Sequence, residues 1–143
     1  MIYFLDTNIF IRFFVKEDKT TFDNCFHLLK LIESNKINAY ISSIILAEVA
    51  WTFNRPYKFS RTKIAKHLKS IIALKNLKFA DNMNLIRAIE LYSKYNIKFV
   101  DCLIASDENL FNKKAVLISY DKDFDKLPIK RIEPEELVKN FKK

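Results

Sequence analysis

The sequence predicts an α/β domain in which a parallel β-sheet is covered by helices on both faces. Short apolar runs such as Ile2-Tyr3-Phe4-Leu5 alternate with longer segments that carry apolar residues at helical spacing. This alternation is typical of a parallel sheet. The length of 143 residues suits one compact domain, and the chain has no internal repeat or linker. We therefore expect residues 1–143 to form a single domain.

The elements can be assigned in order from the N-terminus. Asp6 ends the first strand and is placed to cap the helix that follows. The segment Asn54-Arg55-Pro56 ends the third helix, Asp81 is expected to cap a helix that holds Leu85, Ile89 and Tyr92, and Pro134 begins the last helix. The predicted strands cover 2–5, 39–41, 77–79, 115–119 and 129–132. The predicted helices cover 7–15, 20–34, 43–53, 60–74, a segment after Asp81, 99–111 and a segment from 134.

Composition excludes several kinds of phosphate site. The chain contains no glycine, so it cannot form a glycine-rich phosphate loop, a dinucleotide-binding turn or a glycine-flanked serine nucleophile. The 25 Lys and Arg residues against 17 Asp and Glu residues give a net charge of +8. This excess favours polyanionic partners such as nucleic acid, although solubility alone also accounts for it.

The sequence carries no sign of export or of a membrane segment. Cys25 and Cys102 are far apart, which indicates neither a disulfide scaffold nor a zinc knuckle. The first residues lack a basic region, so they do not predict a signal peptide. The longest apolar run, 41–53, contains Glu48 and is too short to span a bilayer. A soluble cytoplasmic protein without membrane contact is expected.

Several acidic residues lie where an apolar core is predicted. Asp6 stands between two apolar runs, Glu48 is the only charge in an apolar helix, and Asp101 stands alone among apolar neighbours in FVDCLIA. Asp121 and Asp123 follow a strand directly. Burying an ionised carboxylate without a partner costs several kcal/mol, and these apolar runs contain no lysine or arginine. A shared divalent metal site is the simplest explanation.

The predicted topology brings these acids to one edge of the sheet. Asp6 and Asp121 follow parallel strands at their carboxyl ends, where open α/β sheets bind ligands. Glu48 and Asp101 lie in the first turns of helices that leave the same edge. Ligation by oxygen alone selects Mg²⁺ or Mn²⁺, and such a site suits phosphodiester hydrolysis. Taken singly, Asp6 is also explained as a helix cap, and Asp121, Asp123 and Asp125 as turn residues.

Four segments resemble a PIN-domain ribonuclease, and most of all the VapC-type toxins of toxin–antitoxin pairs. They are LDTNIF, SSIILAEV, FVDCLIA and SYDKDF, in that order along essentially the whole chain. The resemblance implies a PIN-like three-layer α/β/α fold with a parallel sheet of four to five strands in the order 3-2-1-4-5. It also implies an Mg²⁺- or Mn²⁺-dependent endoribonuclease, an RNA substrate, homodimers and inhibition by a small antitoxin.

The resemblance also implies roles for individual residues. Asp6 and Asp101 would be direct metal ligands, Asp121 would complete the site, Asp123 could assist and Glu48 would orient waters. Thr7, Asn8 and Ser119 match the polar positions beside these acids. The segment SYDKDFD leaves open which of Asp121, Asp123 and Asp125 faces the metal.

A basic segment offers a second functional signal. It contains no acidic residue, and Tyr57 and Phe59 lie within it. An RNA-binding track with aromatic stacking is one interpretation, and the solvated face of an amphipathic helix is the other. Its basic residues are Arg55, Lys58, Arg61, Lys63, Lys66 and Lys69.

Two other functions remain possible from the sequence. One is a non-catalytic module of the same fold that binds RNA or a protein. The five acids argue against it, because an inactive site has no reason to keep buried charges that cost free energy. The other is phosphoryl transfer through an aspartyl phosphate at Asp6, which the segment LDTN does not favour, because it lacks the second acid two residues later.

Overall fold

A computed structural model describes residues 1–142 and contains a parallel sheet between layers of helices. The strands are β1 (Ile2–Leu5), β2 (Asn38–Ile41), β3 (Leu77–Phe79), β4 (Ala115–Ile118) and β5 (Arg131–Ile132). The helices are α1 (Thr7–Phe14), α2 (Lys19–Glu33), α3 (Ser43–Asn54), α4 (Arg61–Ile72), α5 (Leu85–Lys94), α6 (Phe99–Ala105), α7 (Glu108–Phe111) and α8 (Pro134–Val138). Short 3-10 helices cover Lys122–Lys126 and Lys139–Phe141.

The sheet confirms the predicted order 3-2-1-4-5. β1 pairs with β2 on one side, where Ile2 lies opposite Asn38, and with β4 on the other, where Leu5 lies opposite Ile118. All strand pairs are parallel. The carboxyl ends of β1 and β4 therefore meet at one edge, and the residues that follow these strands are neighbours.

The core is built on the central strands. Phe4 and Leu5 of β1 and Leu117 and Ile118 of β4 are fully buried. The rings of Phe4 and Tyr40 meet edge to face with centroids 5.0 Å apart. Burying each such side chain contributes roughly 1.5–3 kcal/mol. This core fixes the strands that carry the acids at their ends.

The turns of this glycine-free chain use asparagine and lysine in the left-handed backbone region. Asn35 and Asn76 have φ angles of 60° and 70°, and Lys58 and Lys113 have φ angles of 55° and 61°. Asparagine tolerates this region better than most residues. The Asn76 side chain also donates a 2.7 Å hydrogen bond to the Glu33 carbonyl, which ties its turn to α2.

The predicted start of the fifth helix is wrong. Asn84 caps α5 by accepting a hydrogen bond from the Arg87 backbone N–H. Asp81 instead accepts hydrogen bonds from the Ser43 backbone N–H and hydroxyl at the start of α3. The helix still holds the three apolar residues assigned to it, but all three are exposed, and its buried residues are Ala88 and Leu91.

The predicted helix over 99–111 is also wrong in its continuity. It is divided into α6 and α7 around Asp107. Asp107 is fully buried, accepts a 2.7 Å hydrogen bond from the Tyr40 hydroxyl and accepts bonds from the backbone N–H groups of Asn109 and Leu110. A buried carboxylate that caps a helix starts a new one. Within residues 1–142 no helix has the length and apolarity needed to cross a membrane.

Candidate active site

A cavity of about 280 Å³ opens at the carboxyl edge of β1 and β4. Four carboxylates line it. Asp6 follows β1 and Asp121 comes shortly after β4, while Glu48 and Asp101 come from the first turns of α3 and α6. The remaining lining residues are Thr7, Asn8, Ile11, Arg12, Glu17, Thr52, Tyr57 and Lys98.

Asp6 is held rigidly at the base of the site. Its Oδ1 accepts a 2.8 Å hydrogen bond from the Thr7 backbone N–H, so it caps α1 as expected. Its Oδ2 accepts a 2.6 Å bond from the Ser119 hydroxyl and a 3.2 Å bond from the Asn8 amide. Burial raises the pKa of Asp6 to about 6, against the lowering effect of the Ser119 and Thr7 hydrogen bonds.

Hydrogen bonds also join the elements that carry the other acids. The Thr7 hydroxyl donates a 2.9 Å bond to Oε1 of Glu48, which links α1 to α3. The Asn8 amide donates to the Ser119 hydroxyl at 3.1 Å. The backbone N–H of Asp121 donates to that same hydroxyl at 3.0 Å. Thr7, Asn8 and Ser119, the three predicted polar residues, therefore lie among the acids and fix their positions.

Of the four carboxylates in the cavity, Asp101 has the fewest contacts to offset the cost of its burial. It is 4% exposed, and its Oδ2 has no hydrogen-bond partner within the described residues. Burial raises its pKa to about 7, and the carboxylates of Asp121, Asp6 and Glu48 add to this rise, while Lys98 opposes it. A buried acceptor without a partner costs free energy. Its position in the cavity is therefore one that a cation would stabilise.

The segment after β4 places its three acids differently. Asp121 lines the cavity. Asp123 is exposed, forms a 3.4 Å salt bridge with Lys126 and donates its backbone N–H to the Asp121 side chain at 2.9 Å. Asp125 pairs with Arg131 at 2.9 Å, and this arginine lowers the pKa of Asp125. Of the three, only Asp121 is among the cavity residues of the described chain.

The donor set fits a hydrated divalent cation. Among residues 1–142, no group of three or more acidic, histidine or cysteine side chains is already gathered closely enough to hold an ion directly. The cavity is open, however, and all its acidic donors are oxygens, as Mg²⁺ and Mn²⁺ prefer. Mg²⁺ usually keeps several waters and takes one or two carboxylates. The orphaned Oδ2 of Asp101 matches such a ligand.

Five residues of the cavity were missed by the sequence analysis: Ile11, Arg12, Glu17, Thr52 and Lys98. Two of them had a detectable signal. Arg12 lies four residues after Asn8 in α1, and Lys98 lies three residues before Asp101 at the start of α6, so each shares a helix face with a site residue. Glu17 comes from a connection, where no periodicity would have placed it, and Tyr57, named above within the basic segment, comes from another.

The basic segment divides between two places. Arg55 and Lys58 are exposed in the connection between α3 and α4, next to Tyr57 of the cavity. Lys63 lies 3.8 Å from the centroid of the Phe59 ring. Arg61, Lys66 and Lys69 line a separate groove of about 740 Å³ between α3 and α4.

Solved structures share this fold. One is a chain in the crystal structure of VapBC2 from Rickettsia felis bound to a DNA fragment from their promoter; it has 24% identity, a TM-score of 0.67 and coverage of 93% of this chain and 98% of that one. A chain of VapBC-1 from nontypeable Haemophilus influenzae has 18% identity, a TM-score of 0.65 and coverage of 94% and 99%. A chain of a toxin–antitoxin complex from Klebsiella pneumoniae has 21% identity, a TM-score of 0.60 and coverage of 92% and 97%.

The family assignment rests on the sequence as well. A comparison with curated proteins finds no significant match. The model of the PIN domain family, however, matches residues 3–130. This range includes β1 from its second residue, β2, β3 and β4, and all four carboxylates of the cavity. The chain therefore belongs to the PIN domain family.

Proposed function

We propose that this protein is a Mg²⁺- or Mn²⁺-dependent endoribonuclease that hydrolyses RNA phosphodiester bonds, and that it is the toxin of a type II toxin–antitoxin system. The observation that carries the proposal is the convergence of Asp6, Glu48, Asp101 and Asp121 on one cavity. Structural relatives named as VapBC and toxin–antitoxin complexes support the toxin assignment. We treat the chain as one nuclease domain that acts in the cytoplasm, where its RNA substrate would be found.

The acidic residues would have different roles in catalysis. Asp6, Asp101 and Asp121 would hold the cation, and Glu48 would orient a water. The bound cation would supply an activated water and would stabilise negative charge on the phosphate. Thr7, Asn8 and Ser119 keep the carboxylates in position through the hydrogen bonds described above. Asp123 would assist through its backbone N–H, which holds the Asp121 side chain.

RNA would reach the cavity along the basic segment. Arg55 and Lys58 lie in the connection that also carries Tyr57 into the cavity wall. Arg61, Lys63 and Lys66 follow on α4, and two of them line the groove beside α3. Contacts between such cations and phosphate groups make binding strong at low salt and independent of sequence.

The decisive experiment is RNA cleavage with added Mg²⁺ or Mn²⁺. The wild-type protein should cut RNA, and the double variant Asp6→Asn with Asp101→Asn should not. Asp23→Asn, a half-buried acid on α2 that pairs with Lys19 away from the cavity, is the matched control and should cleave normally. Calorimetry with Mn²⁺ separates a nuclease from a non-catalytic module, because only the nuclease should bind the ion. Cleavage that survives in the double variant would refute the assignment.

The antitoxin is proposed to bind an apolar groove of about 250 Å³ on the helical layer formed by α1, α2 and α4. Phe26 is 38% exposed there although it is a large apolar side chain. An amphipathic segment of a small partner protein could cover such a groove with its apolar side chains. The apolar residues of the groove are Phe10, Phe13, Phe14, Phe26, Leu29, Ile71 and Leu74.

A homodimer is proposed through α5 and α6. α5 exposes Leu85, Ile86, Ile89 and Tyr92, each by more than half. The ring of Tyr92 meets Phe99 of α6 edge to face, with centroids 5.5 Å apart, and Phe99 is 40% exposed. A contiguous apolar surface of this kind is typical of a protein interface. A second copy of the chain is the partner that the family resemblance implies.

A further inference from the structure

The active-site cavity has a second wall with a different character from the acidic one. It includes Arg12 of α1, Glu17 from the connection to α2 and Tyr57 from the connection between α3 and α4. The proposed cation chemistry uses none of these side chains. Arginine donates hydrogen bonds and accepts none, so its guanidinium is suited to bind anionic oxygens.

Arg12 is held in place without being neutralised. Its guanidinium carbon lies 4.8 Å from the centroid of the Tyr120 ring, and its Nη1 is 3.5 Å from the Thr21 hydroxyl. Stacking on an aromatic ring fixes a guanidinium while leaving its N–H groups free. Within the described residues, Arg12 forms no salt bridge with any carboxylate. The half-buried side chain therefore presents unused donors beside the cavity.

The two cationic residues that line the cavity, Lys98 and Arg12, influence different side chains. Lys98 lowers the pKa of Asp101, so it acts on the acidic wall. Arg12 instead acts on Tyr57, where its charge opposes the rise in pKa that burial and the Glu17 carboxylate cause. Tyr57, which lines the same cavity as Arg12, belongs to the connection that leads to Arg61 and the α3–α4 groove.

We propose that Arg12 binds a phosphate group of the RNA next to the one that is cut. This inference rests on the proposed function. The acidic wall, once it holds a cation, accommodates the scissile phosphate. A neighbouring phosphate would still be repelled by the carboxylates and needs a separate cation. The planar fork of Arg12 suits two phosphate oxygens, and its position directs the RNA toward Tyr57 and the basic groove.

RNA binding tests this role without requiring cleavage. All variants carry Asp101→Asn so that the RNA stays intact, and binding of a mixed-sequence single-stranded RNA is measured by fluorescence anisotropy over a range of salt concentrations. Arg12→Gln should weaken binding about tenfold and reduce the slope of log K against log salt by about 0.7, the value for one lost phosphate contact. Lys114→Gln removes one charge at the opposite edge of the sheet and should change neither quantity.

A second substitution separates phosphate recognition from structural support. Arg12→Lys keeps the charge but not the fork, so it should restore the salt slope while leaving the affinity several-fold weaker. Thermal melting monitored by circular dichroism checks the fold, and if Arg12→Gln does not fold, Arg12→Lys carries the test. Wild-type affinity in every folded Arg12 variant would overturn the inference, as would absence of RNA binding by the parent. Failure of the wild-type protein to cleave RNA would instead count against the proposed function.

Discussion

The Ser119 hydroxyl donates a 2.6 Å hydrogen bond to Oδ2 of Asp6, although the two residues are 113 positions apart in the chain. The pairing of β1 with β4 makes this contact possible, because it places the residues after both strands at the same edge of the sheet. The bond lowers the pKa of Asp6 against the effect of burial. Ser119 thereby favours the ionised form of Asp6 that a cation requires.

Replacing Ser119 with alanine should therefore weaken metal binding. Without this donor the pKa of Asp6 rises further, and the Asn8 amide is left as the remaining side-chain donor to Oδ2. Losses of about 10- to 100-fold in affinity are usual when a residue that orients a metal ligand is removed. Titration calorimetry with Mn²⁺ at pH 7 measures the change. Ser70→Ala, an exposed serine that bonds only to a backbone carbonyl of its own helix, is the control and should bind normally.

Asp101→Asn should make the metal-free protein more stable at neutral pH. The pKa of Asp101 is about 7 in the folded state against an ordinary value of 3.8. As the pH rises from 4 to 7, this carboxyl ionises first in the unfolded chain, so the free energy of unfolding falls. The loss is on the order of 3 kcal/mol. Burial also raises the pKa of Asp6, to about 6, which adds to the same trend.

Urea denaturation in metal-free buffer at pH 5 and pH 8 measures this effect. The wild-type protein should be less stable at pH 8, and Asp101→Asn should reduce the difference between the two pH values. Asp123→Asn, which changes an exposed carboxylate, should leave the difference as it is in the wild type. An equal dependence on pH in the wild type and Asp101→Asn would contradict the burial argument.

Substitutions should distinguish the roles of Asp121 and Asp123, two acids that follow β4. Asp121→Asn should abolish or strongly reduce RNA cleavage, because Asp121 lines the cavity. Asp123→Asn should leave most of the activity, since the contact of Asp123 with Asp121 is made by its backbone N–H and its side chain pairs with Lys126. Steady-state cleavage rates with Mg²⁺ compare the two. Equal loss of activity in both variants would show that the Asp123 carboxylate acts directly.

The dimer face should be sensitive to a single charge. Ile86→Asp places a carboxylate in the middle of the exposed apolar surface of α5, where Ile86 is 67% exposed. Burying that charge in an interface without a partner costs several kcal/mol, so the variant should be monomeric. Ile72→Asp is a matched control, because Ile72 is 56% exposed on α4. Sedimentation velocity reports the masses, and a monomeric wild-type protein would contradict the dimer.

The sequence predicts the sheet better than the helices that lie on its surface. Buried strands such as β1 and β4 are continuous apolar runs, and the acids that follow them mark the edge of the sheet where the site lies, so these strands and the position of Asp6 could be foreseen. The order of the strands was implied by the family resemblance. The start of α5 could not, because Asp81 and Asn84 are both good capping residues. Only the tertiary structure directs Asp81 to Ser43, 38 positions earlier.

The acidic wall of the site was predictable for a related reason. Glu48 and Asp101 interrupt apolar helices, and the cost of burying such charges makes them conspicuous. The second wall gave no such signal, because Arg12 on a helix and Tyr57 in a connection are ordinary surface residues in a sequence. The break between α6 and α7 was missed because it depends on the hydrogen bond from Tyr40, a residue of another strand, to Asp107.

The left-handed turns bear on the unfolded chain as much as on the folded one. Glycine gives a disordered chain more backbone freedom than any other residue, and folding must remove that freedom. A chain that makes its turns at Asn35, Lys58, Asn76 and Lys113 has fewer unfolded conformations to lose. The opposing cost lies at Lys58 and Lys113, because the left-handed backbone region is unfavourable for a residue with a Cβ atom. Part of the stability of this PIN fold therefore originates in the restricted entropy of its denatured state.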